Sequence, residues 1–237
     1  MNLSYQDALA IIGAEGAHPG GFALTKQLLN QEKINRSTMI LDAGCGTGQT
    51  SQYLVKTFQC QVSAIDIRPE MIEEAKKRFH HGKVEVSLHT NSIEATPFDN
   101  EHFDLIIAES TTAFTHIQKS LREFHRILKQ GGILLTIDMT AEEKLEIQQK
   151  KELMAFYQLP DILTESEWSA AFEQQGFTNL QILKSNTVLK ELMQTPPSTN
   201  RLLSLPAAVE RVLKEHYRLI LTYGDSLGYR VFRANKL

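Results

Sequence analysis

MILDAGCGTG, at residues 39–48, decides the fold of this 237-residue chain. An apolar run leads through an aspartate to three glycines at alternate positions, Gly44, Gly46 and Gly48. Glycines let the backbone leave a strand sharply with positive φ and bring its N–H groups close to a ligand. The residues that follow can form a helix. Strand, glycine turn and helix together predict the mouth of a nucleotide-type pocket.

A second apolar run, VSAID at residues 62–66, ends in an acid 18 residues after Gly48. At the end of a strand, the carboxylate of Asp66 is placed to accept hydrogen bonds from a ribose diol. Glycine turns also occur without a ligand. However, a turn followed by a helix, a second strand and a terminal acid matches the first βαβ half of a Rossmann-like sheet. The context therefore favours a nucleotide-type site.

The spacing of the glycines separates two classes of ligand. Dinucleotide-binding turns carry G-x-G-x-x-G at the start of the helix. This chain instead has Asp42-x-Gly44-x-Gly46-x-Gly48. The spacing argues against NAD and FAD, so a nicotinamide-dependent oxidoreductase is the least favoured alternative.

At these positions the chain resembles the class I S-adenosylmethionine-dependent methyltransferases, whose first motif is (D/E)-x-G-x-G-x-G and whose second strand ends in an acid. Further matches follow in order within residues 38–138, namely Pro69-Glu70-Met71, Asn91-Ser92, Pro97-Phe98, FDLII at 103–107 and LKQGG at 128–132. The chain departs from the family pattern at Arg68, Asn91 and Gln130. An amide at Asn91 still offers an oxygen to the adenine amino group.

The resemblance implies S-adenosylmethionine as the cofactor. Its methionine part is expected over Asp42, Gly44 and Gly46. Asp66 is expected to hold the ribose hydroxyls, and Ile67 to pack on the adenine. The full set of cofactor-binding residues implied in this way is Asp42, Gly44, Cys45, Gly46, Gly48, Asp66, Ile67, Met71, Asn91, Ser92, Ile93 and Glu109.

The expected function is methyl transfer to a small-molecule acceptor. The sulfonium already activates the methyl group, so transfer is a direct displacement with the acceptor in line at about 3 Å, and positioning supplies much of the rate. A general base matters only where the acceptor must lose a proton. The acceptor atom stays open. The alternative function is a non-catalytic S-adenosylmethionine-binding sensor or partner subunit.

Three side chains are candidates for a catalytic role. Glu109 ends the fourth predicted strand, at the carboxyl edge where open α/β sheets bind ligands. His116 follows in the next turn, and histidine is suited to accept a proton near neutral pH. His18 lies in an HPGG stretch that resembles an N-terminal element of some small-molecule methyltransferases, where it folds over the cofactor site. Each candidate also has a purely structural alternative. Glu109 would be a carboxylate at a helix start, His116 a polar residue at a helix start, and His18 part of a plain turn.

Composition limits the classes of binding partner and the cellular location that we expect. A formal net charge of −3 with mixed signs offers no general field to nucleic acid or to an anionic membrane. Cys45 and Cys60 form neither a disulfide framework nor a metal cluster, so we expect no metal and a reducing, cytoplasmic location. No apolar run approaches the roughly 18 residues of a membrane span. A small-molecule substrate is therefore the expected partner, and the oligomeric state is left open.

Alternating strands and helices predict an α/β, Rossmann-like, mostly parallel seven-stranded sheet with helices on both faces and added helical segments. Strands are expected near 38–43, 61–66, 83–88, 103–108, 133–138, 179–184 and 228–234, and helices near 22–34, 48–58, 69–80, 117–129 and 165–175. Thr164 and Glu167 have the spacing of a capping box, and Gly176 suits the end of the same helix.

The whole chain, 1–237, is expected to be a single methyltransferase domain. Its parts are an N-terminal cover of cofactor and substrate (1–37), a cofactor-binding half (38–138) and a substrate-side half (139–237). Three segments lie outside the scaffold, namely the stretch to about residue 21, the polar helical run 141–158 and a helical insertion at 187–224. Since the sheet presents the cofactor, we expect these segments to build the acceptor pocket.

Overall fold

A computed structural model describes residues 3–13, 18–143, 145–194 and 205–237. Glu15 of the expected N-terminal cover, Lys144 of the polar run and residues 195–204 of the expected insertion lie outside the described residues. The strands are β1 Met39–Ala43, β2 Gln61–Asp66, β3 Ser87–Thr90, β4 Phe103–Glu109, β5 Leu128–Ala141, β6 Phe177–Thr187 and β7 Leu227–Lys236. The helices are α1 Tyr5–Ile11, α2 Gly21–Leu29, α3 Gln49–Phe58, α4 Pro69–Gly82, α5 Ile117–Ile127, α6 Ile147–Tyr157, α7 Glu165–Gln174, α8 Val188–Gln194 and α9 Ala207–Tyr223, with a short 3-10 turn at Thr112–Phe114.

The strands of the described residues form one seven-stranded sheet in the order β3-β2-β1-β4-β5-β7-β6. Neighbouring strands pair in parallel except β7, which runs antiparallel to β5 and to β6. The strand order reverses at β1, which has β2 on one side and β4 on the other. Open α/β sheets bind ligands at such a switch point, outside the carboxyl ends of the strands. The mostly parallel seven-stranded sheet is confirmed, and the glycine turn lies at its switch point.

Helices cover both faces of the sheet, as the sequence predicts. Alternation along β1 sends Leu41 into one apolar cluster and Ile40 into the other. Helices α5 and α7 complete the first cluster with side chains such as Phe124 and Trp168, and α2 and α3 complete the second, for example with Leu54. Burying each large apolar side chain contributes roughly 1.5–3 kcal/mol, so the sheet is held from both sides.

Helix α7 begins and ends where the sequence predicts. Thr164 Oγ1 accepts a hydrogen bond from the N–H of Glu167, and the Glu167 side chain accepts one from the N–H of Thr164. At the other end, Gly176 adopts φ +86°, the left-handed conformation that commonly ends a helix. The capping box is confirmed, and Gly176 lies one residue beyond the C-cap Gln175.

Strand β3 differs from its prediction. It covers Ser87–Thr90 rather than 83–88, because helix α4 continues to Gly82 and Lys83 then ends it with a left-handed φ of 52°. The apolar residues just after the helix therefore lie in the connection to β3 and not in the strand. Strand β5 also differs, because it begins at Leu128, which already pairs with Phe103 ahead of a bulge.

The added segments are helical, but their extents differ from the predictions. Helix α1 was not predicted, and its Tyr5 ring lies 5.1 Å from the Tyr157 ring of α6 and 4.7 Å from the His216 ring of α9, centroid to centroid. In the polar run, helix α6 begins only at Ile147. Helices α8 and α9 lie within the described part of 187–224, where a helical insertion is expected. None of the helices that the structure describes is long and apolar enough to cross a membrane.

Candidate active site

The glycines of the turn after β1 serve two different purposes. Gly44, Gly46 and Gly48 adopt φ of 81°, 51° and 80°. A Cβ on Gly44 would lie 2.2 Å from Thr111 Oγ1, and one on Gly48 would lie 2.6 Å from the Phe79 ring, so these two positions need glycine for internal packing. A Cβ on Gly46 would meet no atom of the described residues within 4 Å. Gly46 is therefore the point of the turn where the backbone faces open space.

Three N–H groups of the turn bond within the protein. Those of Gly44 and Cys45 both donate to the Ile65 carbonyl, at 2.8 and 3.0 Å. The N–H of Gly46 donates to Asp66 Oδ2 at 2.9 Å. The expectation that the turn brings these donors to a ligand is wrong for these three residues, because closing the turn against the end of β2 uses them. Their use also disfavours a pyrophosphate, which is held by free backbone donors.

Asp66 and its neighbour form an edge with a polar and an apolar part. Asp66 ends β2 as predicted, with 9% of the residue exposed, and its Oδ1 accepts the N–H of Arg68 at 2.9 Å. Burial raises the pKa of Asp66, although the backbone N–H groups of Arg68 and Gly46 oppose the rise. The next side chain, Ile67, is 68% exposed. A carboxylate and an exposed apolar side chain thus stand together at the carboxyl end of β2.

The other residues expected near adenine differ in how deeply they are buried. Asn91 is exposed, and its N–H donates to the Asp66 carbonyl at 3.1 Å. Ser92 and Met71 are half-buried. Ile93 is 4% exposed and belongs to the apolar core. The structure therefore brings Asn91 to the end of β2, with Ser92 next to it in the chain, and packs Ile93 inward.

Asp42 is a buried acid directly before the glycine turn. Only 2% of the residue is exposed, and Ser51 Oγ donates to its Oδ2 at 2.6 Å. Burial raises the pKa of Asp42 to about 7, and the negative charges of Glu109 and Asp66 add to the rise. Burial also raises the pKa of the Cys45 thiol, so Cys45 is not an activated nucleophile.

Glu109, at the end of β4, collects hydrogen bonds from three other parts of the chain. Thr50 Oγ1 of α3 donates to its Oε2 at 2.6 Å, and Thr25 Oγ1 of α2 donates to its Oε1. His18 Nε2 lies 3.2 Å from the same Oε1. Burial raises the pKa of Glu109, but the hydrogen bond and charge of His18, with the two threonines, outweigh burial and lower it overall. Its neighbours therefore hold Glu109 as a carboxylate.

Two of the three catalytic candidates come together, and the third does not join them. His18 and Glu109 are in contact, as expected if the N-terminal stretch folds over the carboxyl edge. His116 is exposed at the N-cap of α5, where its backbone N–H donates to Glu94 Oε1 at 2.8 Å. His116 therefore lies where its structural alternative places it, as a polar residue at a helix start.

Sequence reasoning missed the residues that support this edge. Thr25 and Thr50 carry no local signal, because their partner Glu109 is distant in sequence. Asp138 of β5 is fully buried, and its Oδ1 accepts the N–H of Ala113 at 3.0 Å, which fixes the turn after β4. Burial raises the pKa of Asp138 to about 6. An acid at the end of the apolar run ILLTID was the signal available for it.

Comparison with known proteins in sequence identifies methyltransferases. A family model described as a methyltransferase domain matches residues 40–132. A protein of Bacillus subtilis (strain 168), named uncharacterized methyltransferase YodH, is 34% identical over 234 residues, which cover 98% of this chain and 99% of that protein. A phosphoethanolamine N-methyltransferase of Plasmodium falciparum (isolate 3D7) is 26% identical over 166 residues, which cover 65% of this chain and 62% of that protein.

Solved structures share the fold at low sequence identity. Haemonchus contortus phosphoethanolamine N-methyltransferase 2, in complex with phosphomonomethylethanolamine and S-adenosylhomocysteine, superposes with a TM-score of 0.80 at 19% identity and covers 97% of this chain. The match spans 56% of the length of that structure's chain. Geranyl diphosphate C-methyltransferase from Streptomyces coelicolor A3(2) gives a TM-score of 0.71 at 17% identity, over 92% of this chain and 79% of that chain. With the nearly full-length match to the Bacillus protein, these findings show that the chain belongs to the class I S-adenosylmethionine-dependent methyltransferases.

Proposed function

We propose that this methyltransferase acts on a small-molecule acceptor, by direct displacement with the acceptor in line behind the methyl carbon of S-adenosylmethionine. The observation that carries the proposal is the edge formed by Gly46, Asp66 and Ile67 at the switch point of the sheet. Gly46 permits close approach of a ligand to the backbone. Asp66 offers oxygens to the ribose hydroxyls, and Ile67 offers an apolar surface to adenine.

The charges around the turn also suit this cofactor. S-adenosylmethionine carries a sulfonium and an ammonium group, and it supplies an activated methyl group when bound. Asp42 and Glu109 are buried acids close enough to interact electrostatically. A nearby cation would favour their charged forms, and in return they would attract the cation. The residues of the turn therefore fit a cationic ligand better than a pyrophosphate.

The added helices support an acceptor of small size. Arg68 Nη2 lies 2.6 Å from Asp7 Oδ1, an ion pair that joins α1 to the segment directly after Asp66. Through Tyr5, α1 also packs on α6 and α9. These contacts join α1 to the segment after β2 and to α6 and α9, so these helices are the expected walls of the acceptor space. Two similar structures are named as complexes with the small molecules phosphomonomethylethanolamine and geranyl diphosphate.

We include the domain organisation in the proposal. The chain would act as a single domain, with residues 1–37 as the cover, 38–138 as the cofactor-binding half and 139–237 as the substrate-side half. The contact of His18 with Glu109 supports a cover that reaches the cofactor-binding half. A cytoplasmic location stays a prediction, and the two free, buried cysteines suit a reducing compartment.

Isothermal titration calorimetry tests the cofactor part of the proposal. Purified protein is titrated in parallel with S-adenosylmethionine, S-adenosylhomocysteine and NAD. We expect micromolar binding of the two sulfur nucleosides and none of NAD. Protein that binds neither sulfur nucleoside would contradict the proposal.

An assay of S-adenosylhomocysteine release then tests the acceptor part. The acceptors are small amines, phenols, thiols and carboxylates, with a protein lysate and total RNA as macromolecular comparisons. We expect release with one of the small-molecule classes. Release only with protein or RNA would show that the acceptor is not a small molecule. Tight cofactor binding without release in any sample would favour the non-catalytic alternative.

A further inference from the structure

The hydrogen bonds of His18 determine where its protons are. His18 Nδ1 lies 3.1 Å from the carbonyl oxygen of Pro19. A carbonyl oxygen only accepts hydrogen bonds, so Nδ1 must carry a proton to make this contact. The ring is buried, with 8% of the residue exposed, so water does not readily replace this partner.

The second ring nitrogen also faces acceptors. His18 Nε2 lies 3.0 Å from Thr25 Oγ1 and 3.2 Å from Glu109 Oε1. The single hydroxyl proton of Thr25 is donated to Glu109, so toward the histidine Thr25 can only accept. An ionised Glu109 accepts as well. Nε2 must then carry a proton too, and a histidine with protons on both nitrogens is an imidazolium.

The surroundings of the pair favour charge separation over a neutral pair. Glu109 accepts hydrogen bonds from Thr25 and Thr50 in addition to the contact with His18, and such donors stabilise a carboxylate. Asp42 of β1 is a further buried acid that interacts electrostatically with Glu109. Burial alone lowers the pKa of His18, but the hydrogen bond and charge of Glu109 outweigh burial and raise it.

We propose that His18 is a fixed imidazolium paired with Glu109, and that this ion pair positions the N-terminal cover on the carboxyl edge instead of moving a proton. The pair and its two threonines connect the chain at His18 with α2, α3 and β4. His18 is then not free to act as a general base, because both of its ring nitrogens already carry a proton. The role at the methyl-transfer site rests on the proposed function, whereas the protonation state does not.

The protonation state can be read directly by NMR on the ligand-free wild-type protein. Long-range ¹H–¹⁵N spectra of histidine-labelled protein distinguish the imidazolium from either neutral tautomer. The signals of His18 are assigned by their loss in His18→Gln, or by through-bond correlations if that variant does not fold. At pH 7.0 we expect His18 to be mainly imidazolium. A mainly neutral ring at this pH would overturn the proposal.

Glu109→Gln and an exposed histidine provide the comparison. Removing the negative charge should lower the titration midpoint of His18 by about one pH unit or more. His80 of α4 is exposed, and its substitution to Gln should leave the His18 titration unchanged. A His18 midpoint that is the same in wild type and in Glu109→Gln would also overturn the ion pair.

The positioning role has its own measurement, the affinity for S-adenosylhomocysteine between pH 6 and pH 9. We expect wild-type affinity to fall at least threefold, relative to His18→Gln at the same pH, as His18 loses its proton. The His18→Gln variant should bind more weakly, and its pH profile reports the other titrating groups, such as Asp42. Parallel pH profiles of the two proteins while the NMR signals of His18 titrate would overturn the positioning role. If S-adenosylhomocysteine does not bind at any pH, the proposed function fails, while the NMR result on the ion pair still stands.

Discussion

Asp66 Oδ2 accepts a hydrogen bond from the backbone N–H of Gly46 at 2.9 Å. This contact joins the two motifs that the sequence analysis identified separately, the glycine turn and the acid at the end of β2. One oxygen of the acid fixes the turn, and we expect the carboxylate also to bind the ribose. Asp66→Ala removes both interactions, whereas Gly46→Ala keeps the N–H that Asp66 accepts and changes the ligand space.

Asp66→Ala should weaken binding of S-adenosylmethionine by roughly 1.5–3 kcal/mol, the scale of hydrogen bonds to a charged group. Calorimetric titration measures the change. Glu85→Ala, which removes an exposed acid from the connection between α4 and β3, is the control and should leave the affinity unchanged. Equal affinities of wild type and Asp66→Ala would show that the ribose lies elsewhere.

Gly46→Ala should reduce cofactor affinity by more than its effect on stability explains. The left-handed φ of 51° costs an alanine roughly 1–2 kcal/mol. Its methyl group would meet no described protein atom, so it would extend into the space expected for the ligand. We expect a folded variant whose affinity for S-adenosylmethionine falls at least about tenfold, or 1.4 kcal/mol.

Gly131→Ala is the matched control for this prediction. Gly131 has a φ of 76° and the same open surroundings, but it lies in β5 near the opposite end of the strand from the site. The two variants should lose similar stability in urea unfolding, and only Gly46→Ala should lose affinity. A similar loss of affinity in both would assign the effect to the backbone rather than to the ligand space.

The parts of the fold that could be predicted are those with a local cause. Positive φ at Gly44, Gly46 and Gly48 requires glycine, and a capping box fixes the start of α7, so both are visible in a short stretch of sequence. Helix α1 also begins with a capping box, formed by Ser4 and Asp7, but it has only seven residues. The aromatic contacts of Tyr5 with α6 and α9 stabilise it from outside its own sequence.

The candidate site, like the fold, has a part that could be predicted from sequence and a part that could not. Asp42 and Asp66 lie within motifs, so their positions at the ends of strands could be predicted. The four-residue cluster around Glu109 could not, because its members come from the N-terminal stretch, α2, α3 and β4 and meet only when the sheet is assembled. For the same reason, the sequence indicated His18 and Glu109 as single candidates and gave no sign of their ion pair.

Asp138→Ala should destabilise the protein, and Asp138→Asn should not. The alanine variant leaves the buried N–H of Ala113 without its acceptor, which costs roughly 1–3 kcal/mol. Asparagine retains an oxygen at that position and carries no charge into a fully buried site. Urea unfolding of the three proteins at pH 7 measures the difference. Equal destabilisation by both substitutions would mean that the charge, rather than the hydrogen bond to Ala113, is what matters.

Asp42→Asn should stabilise the protein, and the gain should increase with pH. Burial raises the pKa of Asp42 to about 7 from its ordinary value of 3.8, so the folded state binds a proton more tightly than the unfolded state does. Folding with an ionised Asp42 therefore becomes costlier as the pH rises from about 4 to about 7, by at most about 1.4 kcal/mol per pH unit, and the cost is constant above that range. Asparagine keeps an oxygen for the hydroxyl of Ser51 and avoids this cost.

The measurement is urea unfolding of wild type and Asp42→Asn at pH 5 and at pH 8. We expect the stability difference to be larger at pH 8, and the same variant to bind S-adenosylmethionine more weakly because it lacks the negative charge beside the glycine turn. Asp225→Asn, at an exposed position, should give equal differences at both pH values. An Asp42→Asn variant that is less stable than wild type by the same amount at both pH values would contradict the assignment of the cost to buried charge. More stability together with weaker binding would indicate that Asp42 is retained for its ligand, at the expense of the fold.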